Sequence, residues 1–266
     1  MRSLQLNDET WMLTAVVPIP MLGVLPVNGY VIRGEHPTLV DTGITPERDD
    51  FRAAVKEIVD PKDLEWIVIT HADRDHTGAL EQLLSEAPNA RVITAFISVG
   101  IMSIGVDPIP PERALLVRDG STVDLGDRKL TFQRPPLFDN PGTLAFLDSK
   151  QNILFSSDIF GAPFATPDEA LVDDVAAIPD DDLTQGQLLW GRVDTPWVHF
   201  LDEKGLGDRL AKLVKDQPDM IMSSHLPPIR GNVDRHVKTL TSLPSAQPWV
   251  SPDQAALEKF VADMAP

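Results

Sequence analysis

Apolar and polar positions alternate from residue 10 to residue 33 around Pro18, Pro20 and Pro26, a period of two that predicts short antiparallel strands. Within this stretch Val27-Asn28-Gly29-Tyr30-Val31-Ile32 reads as a turn followed by a strand. Pro37-Thr38-Leu39-Val40-Asp41-Thr42-Gly43 is a second strand ending in an acidic turn. Thr45-Pro46 then starts a helix whose buried stripe is Phe51, Val55, Ile58 and Val59. Trp66-Ile67-Val68-Ile69 is short, apolar and bounded by charged residues, so it reads as a buried strand. A helix is expected from near Thr77, because Leu80, Leu83 and Leu84 then share one face. Strand Arg91 to Thr94 and helix Ala95 to Ile104 follow, then four strands at Leu115 to Val117, Thr122 to Leu125, Leu130 to Gln133 and Thr143 to Leu147. Asn152 to Ser157 is another strand, Leu206, Leu210, Leu213 and Val214 mark an amphipathic helix, and Met220 to Ser224 is a last strand. Val233 to Leu243 and Gln254 to Met264 read as terminal helices. Helices interleave first and a run of strands follows, an order that suits two packed sheets with helices outside.

Chemistry concentrates where the strand at Trp66 ends. His71-Ala72-Asp73-Arg74-Asp75-His76 sets two imidazoles and two carboxylates within six residues. Read blandly, these are polar groups at a strand end, satisfied by backbone or water. Carboxylates this close repel unless a cation lies between them, so a metal is the better reading. Alternating His71, Asp73 and Asp75 can point to one side of an extended turn while His76 enters from its end, giving two converging ligand sets and room for a pair of ions. Two later strands repeat the device, one delivering Asp158 and the other His225, which precedes Leu226-Pro227-Pro228 and so sits in a loop. Asp41 is either a capping carboxylate or a group that orients a ligand histidine.

Composition narrows the chemistry. There is no cysteine, so any metal must sit on histidine and carboxylate rather than thiolate. A net charge of −17 argues against nucleic acid as a partner. No stretch reaches the ~20 apolar residues of a membrane span, and the start lacks the pattern of a secretory signal, so a cytoplasmic protein with no membrane partner is expected. Seven acidic residues and no Lys or Arg lie between Asp168 and Asp182, which reads as a solvated loop near the site. No Gly/Ser linker or repeat divides the chain. One domain over residues 1–266 is expected, with a core of about 10–231 and a helical extension of about 232–266.

The segments around His71, Asp73, Asp75 and His76, around Asp158 and around His225 resemble the metallo-β-lactamase superfamily from about Asn28 to His225. The resemblance implies an αββα sandwich, an α/β fold of four layers. Aspartate at position 73, together with Phe155-Ser156-Ser157-Asp158-Ile159-Phe160-Gly161 and Ser223-Ser224-His225, is similar to the β-lactamase-like diiron domain of flavodiiron proteins and their stand-alone oxygen-binding relatives. That likeness implies one metal on His71, Asp73 and Asp158 and a second on Asp75, His76, Asp158 and His225, with Asp158 bridging. A further histidine that the pattern needs is missing here, and only Asp139 or Asn140 could replace it. Oxygen donors in its place move the balance toward iron, or manganese, and away from zinc. Of the remaining histidines, His36 and His236 read as surface or core residues, and His199 is the one that could fold over the site.

The expected function is that of a dinuclear, diiron-type oxidoreductase that binds or reduces dioxygen or nitric oxide. No flavin domain follows in this sequence, so electrons would come from a separate flavoprotein or rubredoxin. The alternative is a metal-dependent hydrolase of an ester, thioester, lactone or phosphoester, in which Asp75 is the catalytic residue that orients a metal-bound hydroxide or takes its proton. A third reading is a degenerate, non-catalytic binding protein. The analogy further implies a small-molecule substrate and a homodimer.

Overall fold

The computed structural model describes residues 1–105 and 109–263. The first sheet takes its strands in chain order, β1 (Arg2–Gln5), β2 (Thr10–Ile19), β3 (Gly23–Ile32), β4 (Thr38–Val40), β5 (Trp66–Val68), β6 (Arg91–Ala95) and β7 (Ala114–Val117). Pairing is antiparallel as far as β4 and parallel from β4 to β7. The second sheet also follows chain order, through β8 (Thr122–Asp124), β9 (Lys129–Gln133), β10 (Ala145–Asp148), β11 (Ile153–Ser157), β12 (Met220–Ser223) and β13 (Ile229–Arg230). Only β11 and β12 run parallel in it. The helices are α1 (Arg48–Ile58), α2 (Leu80–Glu86), α3 (Phe96–Ile104), α4 (Pro167–Ala170), α5 (Asp180–Asp194), α6 (Glu203–Leu213), α7 (Val233–Thr241) and α8 (Gln254–Asp263). The expected helix residue Met264 lies outside the described residues.

Successive strand residues point to opposite faces, and here they enter different cores. Leu39, Ile67 and Val92 pack toward Phe51 and Val55 of α1 and Leu80 and Leu83 of α2. Their neighbours Val40, Val68 and Ile93 turn the other way, onto Phe132, Phe146 and Phe155 of the second sheet. Leu154 and Ile221 face outward again, onto Leu183, Leu206, Leu210 and Leu240 of α5, α6 and α7. Three cores between four layers therefore follow from runs of apolar residues buried on both faces. Phe146 and Phe155 stack at 4.8 Å in the middle core, with Tyr30 edge-on to Phe155 at 5.1 Å.

Three expectations are corrected. β2 and β3 form one long hairpin rather than short strands, since proline removes a donor but keeps the chain extended, and the pairing runs past Pro18 and Pro26. Asn28-Gly29 is not a turn but lies inside β3. Asn28 there accepts from Thr14 and donates to the Ser223 and Leu226 carbonyls, and a Cβ on Gly29 would meet the Phe51 ring at 2.6 Å. The acidic stretch folds into α4, a 3-10 turn at Val175–Ala177 and the start of α5, because Ala170, Val175, Ile178 and Leu183 are buried. Its acidic residues serve that structure: Asp174 caps the 3-10 turn, and Asp180, Asp181 and Asp182 sit at the positive end of α5. Among the described residues no helix is long and apolar enough to cross a membrane.

His236 on α7 is a core residue, 2 % exposed, with Nδ1 3.1 Å from the Gln187 side-chain oxygen, while Gln187 donates to the Phe160 carbonyl at 3.0 Å. Burial, aided by Arg235, lowers its pKa to about 4, against the opposing pull of Asp174 and Asp180. Folding therefore keeps the ring neutral, and the unfolded chain binds the extra proton between about pH 4 and 6.5. The sign is that this contribution is complete above pH 6.5 and is lost as pH falls toward 4, about 3 kcal/mol in all. His236→Gln should flatten that limb of a urea-midpoint profile; an unchanged acid limb would refute the assignment.

Candidate metal centre

The cluster lies where β4, β5, β11 and β12 of the two sheets end, and each strand end contributes. The turn after β5 spans residues 71 to 79, and α2 begins at Leu80 rather than near Thr77, because Thr77 is held in the turn by backbone and side-chain bonds to the Asp73 carbonyl. β11 ends at Ser157, whose φ of 57° turns the chain sharply enough to aim Asp158 at this turn. His225 comes from the loop after β12. Gly161 lets that loop close on the Asp158 turn, since a Cβ there would meet Trp190 at 2.7 Å and His225 at 2.9 Å.

All three histidines are tethered by Nδ1 and present Nε2 inward. His76 Nδ1 donates to Asp41 Oδ2 at 2.9 Å, and His225 Nδ1 donates to the Pro26 carbonyl at 2.9 Å. His71 Nδ1 meets Ser157 Oγ at 3.2 Å, Ser157 donates to Thr70 Oγ1 at 3.1 Å, and Thr70 donates to Asp41 Oδ2 at 2.8 Å. This chain of hydroxyls ends on a carboxylate, so the proton on His71 sits at Nδ1 and its Nε2 carries a free lone pair. Asp41, with φ of 53° and fully buried, is thus the hub that orients His76 directly and His71 through two hydroxyls.

Asp158 lies between the imidazoles. Its Oδ2 is 3.2 Å from His71 Nε2, while its Oδ1 is 3.1 Å from His76 Nε2 and 3.3 Å from His225 Nε2. Asp73 and Asp139 lie on the His71 side, at 3.6 and 3.9 Å from its Nε2. Asp75 lies on the other, 3.6 Å from His76 and 3.3 Å from His225. Asn140 points elsewhere, donating to Asp73 Oδ1 at 2.7 Å and accepting from the Gly142 amide. His199, beside the Pro244 carbonyl, belongs to no ligand group among the described residues, and His36 pairs with Glu65 on the surface.

The sequence reading missed Asp194, the last residue of α5, which offers an oxygen within 4.8 Å of both Asp139 and Asp158. One further signal comes from charge. Burial opposes charge on His225, yet the Asp158 and Asp75 carboxylates beside it outweigh this and raise it to about 10. Burial, followed by Asp158, pushes Asp139 up to about 6; burial, followed by Asp158 and Asp139, pushes Asp194 up to about 8. The site is short of positive charge. Moreover, Asp158 Oδ1 and His76 Nε2 are buried and form no hydrogen bond with any described residue, despite their proximity. Inward lone pairs without protons to accept fit cations at the centre.

The neighbours in the known proteins share this architecture. The rubredoxin oxygen:oxidoreductase of Desulfovibrio gigas matches 93% of this chain and 63% of its own at 20% identity, with a TM-score of 0.76. The flavodiiron protein of Giardia intestinalis matches 92% of this chain and 59% of its own at 19% identity, with a TM-score of 0.77. The anaerobic nitric oxide reductase flavorubredoxin of Salmonella arizonae is 30% identical over 179 residues, 66% of this chain and 36% of that protein. The chain thus spans about a third of that relative's length. The two sheets and outer helices are the four-layer metallo-β-lactamase sandwich. The chain belongs to the ODP family of β-lactamase-like proteins, whose family model matches residues 25–184.

Proposed function

We propose that the cluster holds two metal ions, iron in preference to zinc or manganese, and that the chain binds or reduces dioxygen or nitric oxide with electrons from a separate redox protein. The observation that carries this reading is the division of Asp158, with Oδ2 toward His71 and Oδ1 toward His76 and His225. His71, Asp73 and Asp139 would hold one ion with it, and Asp75, His76 and His225 the other. Three imidazoles among several carboxylates suit a redox-active ion better than a softer thiolate-seeking one. The oxygen- and nitric oxide-reducing names of the relatives support the choice of substrate. When bound, the two ions would supply electrons and open positions for a diatomic molecule.

The chain's own residues would do the rest. A solvent-open cavity of about 510 Å³, whose lining includes Asp73, Arg74, Asp75, Ile101 and Met102, adjoins the cluster at Asp73 and Asp75 and is wide enough for a diatomic molecule. Asp75 lines that cavity while its Oδ2 faces His76 and His225, so the ion it would help to hold lies beside the cavity. Asp41 would keep His71 and His76 oriented through any change in charge.

Purification without chelator, followed by elemental analysis, visible spectroscopy and gas consumption with a chemical reductant, tests the reading. About two irons per chain, visible absorption and uptake of dioxygen or nitric oxide are expected. Colourless zinc protein that hydrolyses model esters without reductant would replace this reading with the hydrolase.

A further inference from the structure

We propose that Asp194 is a further ligand of this centre, a carboxylate donor that enters from α5 at the metal position beside His71. The assignment rests on the dinuclear reading above and extends it to a residue outside the strand ends. Asp139, Asp158 and Asp194 each offer an oxygen, and the three lie within 4.8 Å of one another. Metal–oxygen bonds of about 2.0–2.2 Å bring donors on one ion to within about 4.4 Å, so a common ion can draw all three together with little movement.

The helix aims Asp194 at this point. Gln187, Trp190 and Asp194 are spaced three and four residues apart and share one face of α5. Gln187 donates to the Phe160 carbonyl at 3.0 Å. Trp190 donates through Nε1 to the Asp158 carbonyl at 3.1 Å and packs its ring 4.9 Å from that of His225. These two contacts fix the helix on the turn that carries Asp158, and one turn further on Asp194 meets the carboxylates. The position opposes an isolated anion twice over: it is the negative end of a helix, and two more carboxylates face it. Asp158, a member of the same group and 3 % exposed, turns Oδ2 toward His71 on this side, while its Oδ1 on the other side forms no hydrogen bond with a described residue. A cation between them removes the conflict, and the first metal position then has His71, Asp73, Asp139, Asp158 and Asp194 around it.

The test compares the unmodified chain with Asp194→Asn and Asp194→Glu after anaerobic loading with ferrous iron, reading bound iron by elemental analysis and its release to a chelator. The unmodified chain should hold about two ions. Asp194→Asn should fall to about one, or release one ion at least about ten-fold faster, while the other ion behaves as before. Asp194→Glu, which keeps the carboxylate, should retain the second ion better than the amide, and this comparison separates ligation from a loss of folding. Two ions in Asp194→Asn with unchanged release rates would overturn the assignment alone. An unmodified chain that takes up no iron would overturn the dinuclear reading and the assignment together.

Discussion

Asp158→Ala should strip both metal positions at once. Every other candidate ligand serves one side of the cluster, whereas Asp158 faces His71 with one oxygen and His76 and His225 with the other. Losing a group that merely orients a ligand costs about 10–100-fold in metal affinity, and losing a donor shared by two ions should exceed that. Iron content is expected to fall from about two per chain to well under one, and gas consumption to below about one-hundredth of the starting rate. The fold should survive, because the main chain here is held independently: the Asp158 carbonyl accepts from Gly161 N–H and from Trp190 Nε1. Circular dichroism of the metal-free variant checks this. An Asp158→Ala chain that still carries two irons would refute the bridging assignment.

The layered architecture was readable because β4, β5, β6, β11 and β12 are short runs of apolar residues, and such runs have to be covered on both faces. His71, Asp73, Asp75 and His76 were readable as a group because a single turn holds them, and Asp158 and His225 because each follows an apolar strand. Asn28-Gly29 misled because its dipeptide favours a turn in isolation, whereas here the tertiary partners Ser223, Leu226 and Phe51 hold it extended. The acidic stretch misled because its apolar residues, Ala170, Val175, Ile178 and Leu183, are spaced irregularly and match no single period. Misreading it as a loop concealed α5, and Asp194 with it. A lone aspartate at a helix end carries no local signature. Only the packing of Trp190 on Asp158 and His225, residues distant in sequence, brings it to the cluster.

The largest stability effect is expected far from the metal centre, at Arg128. Its side chain, 1% exposed, donates to Asp148 Oδ2 at 2.8 Å, to Glu9 Oε2 at 2.6 Å and to both oxygens of Asp127. Glu9 lies in the turn between β1 and β2 of the first sheet, while Asp148 ends β10 of the second, so one guanidinium fastens the two sheets at this edge. Asp148 is completely buried, and among the described residues its carboxylate accepts, apart from Arg128, only from the Lys150 amide, at 2.9 Å. Arg128→Ala would leave that carboxylate buried without its cation, a change that costs about 3–5 kcal/mol. At about 2–4 °C per kcal/mol for a chain of this size, thermal unfolding should drop by roughly 10 °C. Removing both charges should cost less than removing the cation alone, because the main penalty is the unpaired anion: Arg128→Met combined with Asp148→Leu should recover much of the loss. A double variant no more stable than Arg128→Ala would mean that the arginine acts through Glu9, Asp127 or its own packing rather than through Asp148.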